Sequence, residues 1–550
     1  MSDIAALVAD NLDIWTGAIE RKSGAGRGGG NKRISLYGIE RFRALILDLA
    51  VRGKLVPQEV GDEPALDQLA NIRTSKPKYT KHQGLPKARV SPDAIDQVPF
   101  ALPGGWAWSR LGDIAAYIQR GKSPKYSDGS GVYVVSQRCV QWSGLDLTVA
   151  KEISQASLSN YESYRFLKSG DLLWNSTGTG TIGRVIALDD VPDGLVCDSH
   201  VTLVRSPWVN ARYLQAWLAS DNVYGQIEAI AAGSTNQIEW TAQLASNQLV
   251  PLPPLAEQSR IVAKVDKLMA LCDALERESA DAMAAHQTLV EALLATLVSS
   301  VDAAELAANW ARLESHFDTL FTTETSIDAL KQTILDLAVR GKLLQQDVAN
   351  WPVEPLGKYV KEAAAGWSPK CIETPRSDDN WGVLKVSAVT WGRFQPEENK
   401  ELPPSLEPRP EIEVAPGDFL ISRANTAELV ARSVVVPLNA PRKLMMSDKI
   451  IRFRFNDKID SEYVNLVHAS PFARAYYARV AGGTSSSMKN VSQSQIRALA
   501  IPIPPLAEQH RIVAKVDELM ALCDVLKARL ADAAETRRHL ADAIVERAAA

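Results

Sequence analysis

The chain repeats itself, and that restricts its fold more than any other feature. Residues 251–275 read PLPPLAEQSRIVAKVDKLMALCDAL and residues 502–526 read PIPPLAEQHRIVAKVDELMALCDVL, identical at 21 of 25 positions at an offset of 251. A second pair, ILDLAVRGKL, stands at 46–55 and again, unchanged, at 334–343, at an offset of 288. Self-similarity on this scale dictates a duplicated architecture. Between the anchors lie two segments of about 150 residues, 101–250 and 351–501, that share only landmarks. Leu111-Gly112 answers Leu356-Gly357, Ser123-Pro124-Lys125 answers Ser368-Pro369-Lys370, and Gly170-Asp171 answers Gly417-Asp418. Uniform drift after a duplication would scatter differences evenly. Here they collect in the long segments, as if those carry something variable on a fixed frame.

The fixed elements read as helices. After Pro253-Pro254, apolar residues recur at Ile261, Val265, Leu268, Leu271 or Cys272, and Leu275, and continue through Leu289, Leu293 and Leu297. This is the spacing of one helix face. No Pro or Gly falls between Leu255 and Ser300, which predicts a helix of about 65 Å at 1.5 Å per residue. A second stretch follows with Ile327, Leu330, Ile334 and Leu337, closed by Arg340-Gly341-Lys342 as a glycine cap with flanking cations. The break between the two is placed at Thr322–Thr325. The copy at 506–545 is also helical, with the early 46–55 helix as its expected partner. One-sided helices of this length need a partner to bury their seam. The long segments are β-rich, with Gly131–Val135, Leu172–Trp174, Val201–Val204, Ser433–Val436 and Ile450–Phe455 separated by turn residues, and one helix each near Ala211–Leu218 and Tyr463–Tyr477. Each is expected to be a compact α+β domain.

Of 550 residues, 61 are Lys or Arg and 65 Asp or Glu, a net charge of −4. That balance does not advertise nucleic acid, so such a case rests on local features. The five cysteines are widely spaced, no CxxC, HxxxH or HExxH occurs, and neither a disulfide scaffold nor a zinc site is expected. No run of about 18 apolar residues and no signal-like start are read, so neither a membrane span nor secretion is expected, and a reducing cytoplasm fits. Catalytic signatures are missing. A Walker A loop would need glycine five residues before Gly121-Lys122-Ser123, and Ala116 stands there. Gly53-Lys54-Leu55 and Gly341-Lys342-Leu343 close helices instead of opening them. No GxGxxG follows a strand, no GxSxG appears, and no Asn/Asp-Pro-Pro-aromatic motif or convincing nuclease triad occurs.

Residues able to read DNA are present. Gln119, Arg120, Lys122, Ser123, Lys125 and Tyr126 put cations, an amide and an aromatic on a loop shaped by Gly121 and Pro124. Such a loop can meet phosphates through lysine and base edges through arginine or glutamine, or be a plain solvated turn. Asn175, Ser176, Thr177 and Thr179 follow a strand and can contact DNA or form turn hydrogen bonds. Their counterpart, Ser422, Arg423, Asn425 and Thr426, adds an arginine. Ser234, Thr235 and Asn236, and in the second half Thr484, Ser485, Ser486 and Lys489, form polar loops before the long helices. Gln137, Arg138 and Trp142 in the first segment, and Trp367, Ser368, Lys370, Lys385, Trp391 and Arg393 in the second, complete the candidates. Trp142 and Trp391 are the tryptophans offered for stacking on a base; the others read as anchors. Segment 110–250 carries 11 cations and 13 acids, and 356–500 carries 20 and 16. The basic run Arg73–Arg89, with Pro77 and Pro86, predicts an extended solvated tether. Gly24–Gly30 reads as a flexible linker.

In combination these motifs resemble the specificity subunit of type I restriction–modification enzymes. The resemblance rests on the two helix-opening blocks, on ILDLAVRGKLVPQ at 46–58 and on FALPGGWAWSRLGDI at 100–114. It implies an α+β chain with a pseudo-two-fold internal repeat: two globular α/β target recognition domains separated by long antiparallel helices, a coiled-coil spacer. Its boundaries would be an N-terminal helical region with a basic linker at 1–100, recognition domains at 101–252 and 351–503, a central helical spacer at 253–350 and a C-terminal helix at 504–550. It also implies no catalysis in this chain. Each domain would read half of a split, asymmetric site on double-stranded DNA. Partners would be two methyltransferase and two ATP-dependent translocating restriction subunits, which hold S-adenosylmethionine, ATP and Mg²⁺; this chain would hold no cofactor or metal. The alternatives are a helical protein–protein scaffold, or a stand-alone nuclease or methyltransferase with unfamiliar motifs.

Overall fold

The apolar spacing of the repeated blocks becomes two uninterrupted helices in a computed structural model of the chain. It describes residues 4–22, 33–86, 90–91, 95, 97–178, 180–227, 239–344, 351–377, 379–390, 392–483 and 488–549. The helices that matter here are α1 (Tyr37–Val51), α2 (Ala65–His82), α3 (Ala211–Leu218), α4 (Leu255–Ser299), α5 (Ala303–Ser315), α6 (Glu324–Val339), α7 (Ser461–Ala469), α8 (Pro471–Val480) and α9 (Leu506–Ala549). The chain divides into one unit of Met1–Ala280 with Ala534–Ala550 and another of Asp281–Ala533. In the first, Arg43 of α1 binds Asp273 at 2.5 Å and Glu276 at 2.9 Å on α4. Tyr37 and Arg41 of α1 reach Asp542 of α9 at 2.8 and 2.7 Å. In the second, Lys331 of α6 pairs with Asp524 of α9, and Lys527 of α9 with Asp328 of α6. Ile327, Leu330 and Ile334 of α6 share a core with Val290, Leu294 and Leu297 of α4 and with Ile512 and Val516 of α9. Each short repeated helix thus packs on both long ones, not on a single partner.

The two long segments have one topology. In the first, β1 (Ala107–Arg110), β2 (Tyr117–Arg120), β3 (Tyr133–Val135), β4 (Lys151–Glu152), β5 (Asp171–Asn175), β6 (Val185–Ala187), β7 (Val196–Cys197), β8 (Val201–Arg205) and β9 (Leu249–Leu252) form sheets of order β6-β5-β8-β2, β7-β3-β4 and β9-β1. In the second, β10 (Val353–Pro355), β11 (Val360–Ala365), β12 (Gly382–Leu384), β13 (Asn399–Glu401), β14 (Phe419–Ser422), β15 (Ala424–Asn425), β16 (Ser433–Val435), β17 (Leu444–Met445), β18 (Ile450–Phe455), β19 (Lys489–Asn490) and β20 (Ala500–Pro502) give β11-β18-β14-β16, β13-β12-β17 and β10-β20. Equivalent strands pair with equivalent partners, and β3–β7 and β12–β17 are the parallel pairs. The Gly-Asp landmark explains itself. Asp171 is buried at 1% exposure and bound by Arg205 of β8 at 2.6 Å. Burial pushes its carboxyl up while Arg205 pulls it down. Asp418 is equally buried and meets Arg454 at 2.6 Å and Arg452 at 3.6 Å. Tyr213 of α3 and Tyr463 of α7 donate to the carbonyls of Pro251 and Pro502, tying each helix to its closing strand.

Two sequence readings are corrected. The run from Arg73 is no extended tether as far as His82: it is the C-terminal half of α2. Tyr79 packs edge-on against Trp208, and Lys76 donates to the Gly112 carbonyl. Pro77 forfeits one helix hydrogen bond, which burial of the other face outweighs. The break after α4 comes earlier than Thr322: Asp302 caps a further helix, α5, through the Glu305 amide. Thr323 is also a break, capping α6 in a reciprocal box with Ser326. By length and composition alone, α4 could cross a membrane. Its Val290, Leu294 and Leu297 are nevertheless buried within the second unit.

Candidate nucleic-acid interface

Strand direction gathers the candidates. In the first sheet Arg120 lies opposite Thr202 and Asn175 opposite Val201, so β2 and β5 end where β8 begins. In the second sheet Ala365 faces Ile451 and Ser422 faces Ile450, the same arrangement. At this end each chain must pass against carbonyls of the loop before β8 or β18. A Cβ on Gly121 would collide with the Cys197 and Asp198 oxygens, and one on Gly366 with those of Met446 and Ser447. Glycine is needed for closeness here, not for a left-handed backbone. Two positions on, Ser123 meets Ser199 at 2.9 Å and Ser368 bonds Asp448. The Ser-Pro-Lys landmark is therefore a matched loop.

In the first segment the loop is a network. Arg120 donates to the Ser199 carbonyl at 2.6 Å and to Glu239 at 3.0 Å. Lys122 donates to the Asn160 carbonyl and pairs with Glu162, holding that carboxylate down at about 2. Lys151 sits 4.9 Å over the exposed Tyr126 ring. Gln137 accepts from Thr177, whose hydroxyl also lies 2.7 Å from His200 Nδ1. Gln119 is half-buried on β2, whereas Lys125 and Arg138 are exposed. Trp142, half exposed, stands edge-on to Tyr224 at 5.0 Å. Asn175 and Ser176 are fully buried: Asn175 donates to the Gln137 and Thr181 carbonyls, and Ser176 bonds Thr202. As folded they hold the strand end together and offer a duplex no surface.

The second segment presents more open cations. Arg423 is exposed just beyond β14, its backbone bridging Lys449 and Val491, with no side-chain partner among the described residues. Lys370 and Arg393 are exposed. Lys385 pairs with Glu398 at 3.6 Å, and Arg409 stacks 4.1 Å over Trp367. Asn425 accepts from the Thr426 amide and lies across from Lys489, which donates to Gly483. Ser422 is buried against the Leu429 carbonyl. Thr179, Ser234, Thr235, Asn236, Trp391, Thr484, Ser485, Ser486 and the Gly24–Gly30 stretch lie outside the described residues. Sequence reasoning missed Ser199, His200, Glu239 and Asp448. For Ser199, His200 and Asp448 the signal was position, since they precede β8 and β18, the strands paired to the candidate loops; Glu239, before the helix Ala242–Asn247, had no such signal. No group of three potential metal ligands occurs among the described residues.

Two β-rich segments of one topology, each leading into a long repeated helix, define an internally duplicated α+β architecture. The family model for the type I restriction modification DNA specificity domain matches residues 103–282 and 412–535. The specificity subunit of the type I restriction enzyme EcoEI from Escherichia coli is 36% identical, with 99% of both chains covered. That of EcoAI, from the same organism, is 30% identical over the same shares. A solved structure from work on complex assembly and conformational transition of the type I R-M system has a TM-score of 0.52 at 21% identity, covering 82% of this chain and 99% of that one. The chain belongs to the type I restriction–modification specificity subunit family, and is a specificity subunit, not a catalytic one.

Proposed function

We propose that this chain reads a bipartite, asymmetric site on double-stranded DNA. Residues 101–252 and 351–503 take one half each, and the helical regions set the unread spacer and dock two methyltransferase subunits. Two translocating restriction subunits complete the assembly in the cytoplasm. S-adenosylmethionine, ATP and Mg²⁺ belong to those partners. One observation carries the reading. The same end of the same sheet is built twice with different residues: Arg120 and Asn175 close it in one, and Ala365 and Ser422, with the exposed Arg423 just beyond, in the other. Equal frames with unequal chemistry suit two different words, where a symmetric dimer suits a palindrome. Arginine and glutamine read guanine and adenine edges in the major groove, and lysines bind phosphates. A methyltransferase partner must flip its adenine out of the stack, so the base presented decides the product.

The test is a methylome. The chain is expressed with its methyltransferase subunit in a host without adenine methylation, and modified positions are read by single-molecule sequencing. A split motif with one adenine marked in each half is expected. If the two proteins associate and no new methylation arises, the reading fails and the scaffold alternative takes its place.

A further inference from the structure

The repeat is broken in one place, by an insertion. Trp106 stands 51 positions after Leu55, but its counterpart Trp351 stands 8 after Leu343. The extra chain in the first half contains α2, and the second half has too few residues for a counterpart. In the first unit α2 has a defined seat. The Ala65 amide donates to Gly105 at 2.8 Å, Gln68 donates to the Trp208 carbonyl at 2.8 Å, and Gln258 of α4 bonds Gln68 at 3.4 Å. Ala65, Gln68 and Ile72, at i, i+3 and i+7, are buried. Just before the helix, Glu59 and Asp62 bind Arg260 of α4 at 3.3 and 2.5 Å.

In the second unit the equivalent place is an open groove of about 660 Å³ lined by Trp351, Tyr359, Lys458, Ile503, Pro504 and Leu506. Its polar fittings are those of the α2 seat. The carbonyl equivalent to that of Trp208 belongs to Lys458, and Gln509, the counterpart of Gln258, holds it at 3.2 Å in place of an incoming amide. Gln509 is fully buried and keeps the two other bonds of its counterpart, from the Asp460 amide and to the Pro504 carbonyl. Arg511, the counterpart of Arg260, pairs with Glu508 on its own helix; its side chain is 59% exposed against 27% for Arg260.

We propose that this groove seats an amphipathic helix of another protein chain, docked as α2 is docked in the first unit. The occupant carries a small residue, an amide and a branched aliphatic at i, i+3 and i+7. Acidic residues just before its first turn meet Arg511. The chain's own α2 already fills its seat in the first unit, so the second seat takes its helix from elsewhere. The proposal concerns a protein helix and does not depend on how DNA is read.

The probe is a labelled peptide of residues 57–84, α2 with its acidic approach, titrated into the purified full-length chain and followed by fluorescence anisotropy. Saturable 1:1 binding is expected. It should weaken at least tenfold with Ile503→Glu and several-fold with Arg511→Glu, each variant first shown by circular dichroism to keep the fold. A peptide carrying Asp62→Lys should recover binding to the Arg511→Glu chain, and Arg260→Glu should change nothing. No saturable binding, or sensitivity to Arg260→Glu in place of Arg511→Glu, overturns the proposal. A dimer that Ile503→Glu dissociates would assign the groove to α2 of a second copy, and also overturns it.

Discussion

The two long segments differ at most positions and fold alike; the repeated helices carry blocks that match almost residue for residue, 251–275 with 502–526 and 46–55 with 334–343. The contrast separates what a backbone needs from what a surface is free to vary. The segments keep a glycine where two strands approach, a carboxylate under an arginine, and a tyrosine anchored to a proline carbonyl. Each of these is a steric or desolvation requirement that few residues satisfy. The sharpest way to break the comparison is Gly121→Val or Gly366→Val. Each side chain would start inside two carbonyl oxygens, so strand and loop must part, at a cost above about 3 kcal/mol. Hydrogen exchange should show β2 and β8 loosened by the first, and β11 and β18 by the second. Loosening of both sheets by either change would mean that the segments do not fold independently.

A second difference concerns pH. His468 of α7 occupies the position that Leu218 holds in α3, and both are buried. The His468 ring lies between the Val464 carbonyl and the Tyr477 hydroxyl. Burial lowers its pKa to about 4 from 6.5. The unfolded chain binds this proton more readily, so the group's contribution is complete above pH 6.5 and is lost as pH falls toward 4. That difference corresponds to roughly 3 kcal/mol. The second segment should therefore lose stability across this window by a route the first lacks. His468→Leu should flatten the dependence in a urea midpoint measured from pH 7 to pH 4.5. An unchanged slope would assign the acid sensitivity to carboxylates.

The helices were legible because their periodicity runs unbroken from Leu255 to Ser299, and a 3.6-residue pattern that long has one reading. The duplicated sheet was legible only as landmarks. Ser123 and Asp171, each in a landmark, meet local requirements, whereas the β residues around them interchange freely on a buried face. Two features were hidden. Asn175, Ser176 and Ser422 look like loop polars because they end strands, and only the packing turns them inward. The helix α2 was masked by Pro77 and the four cations Arg73, Lys76, Lys78 and Lys81, and what holds it is tertiary: Gln68 on the Trp208 carbonyl and Ile72 in the core. The candidate interface was legible as residue types and loops, not as partners. Lys122 read as a cation for phosphate and Arg120 as a reader of base edges, while folding pairs them with Glu162 and Glu239.

The smallest expected effect tests the repeat most finely. Arg43 and Lys331 are equivalent, as are Asp273 and Asp524, and both pairs form. One turn on, the repeat reverses a charge. Glu276 gives Arg43 a second carboxylate, whereas its equivalent Lys527 turns to Asp328. Lys527→Glu should therefore lose one exposed pair and gain another, because Lys331 is placed as Arg43 is. The net cost should stay under about 0.5 kcal/mol, within the range of surface ion pairs. In a Lys331→Ala background the same change leaves a carboxylate facing Asp328 without compensation, and should cost about 0.5–1 kcal/mol more. A double-mutant cycle in urea reads the difference, and 1 M salt should remove most of it. Additivity of the two changes at low salt would mean that the two seams share sequence but not geometry.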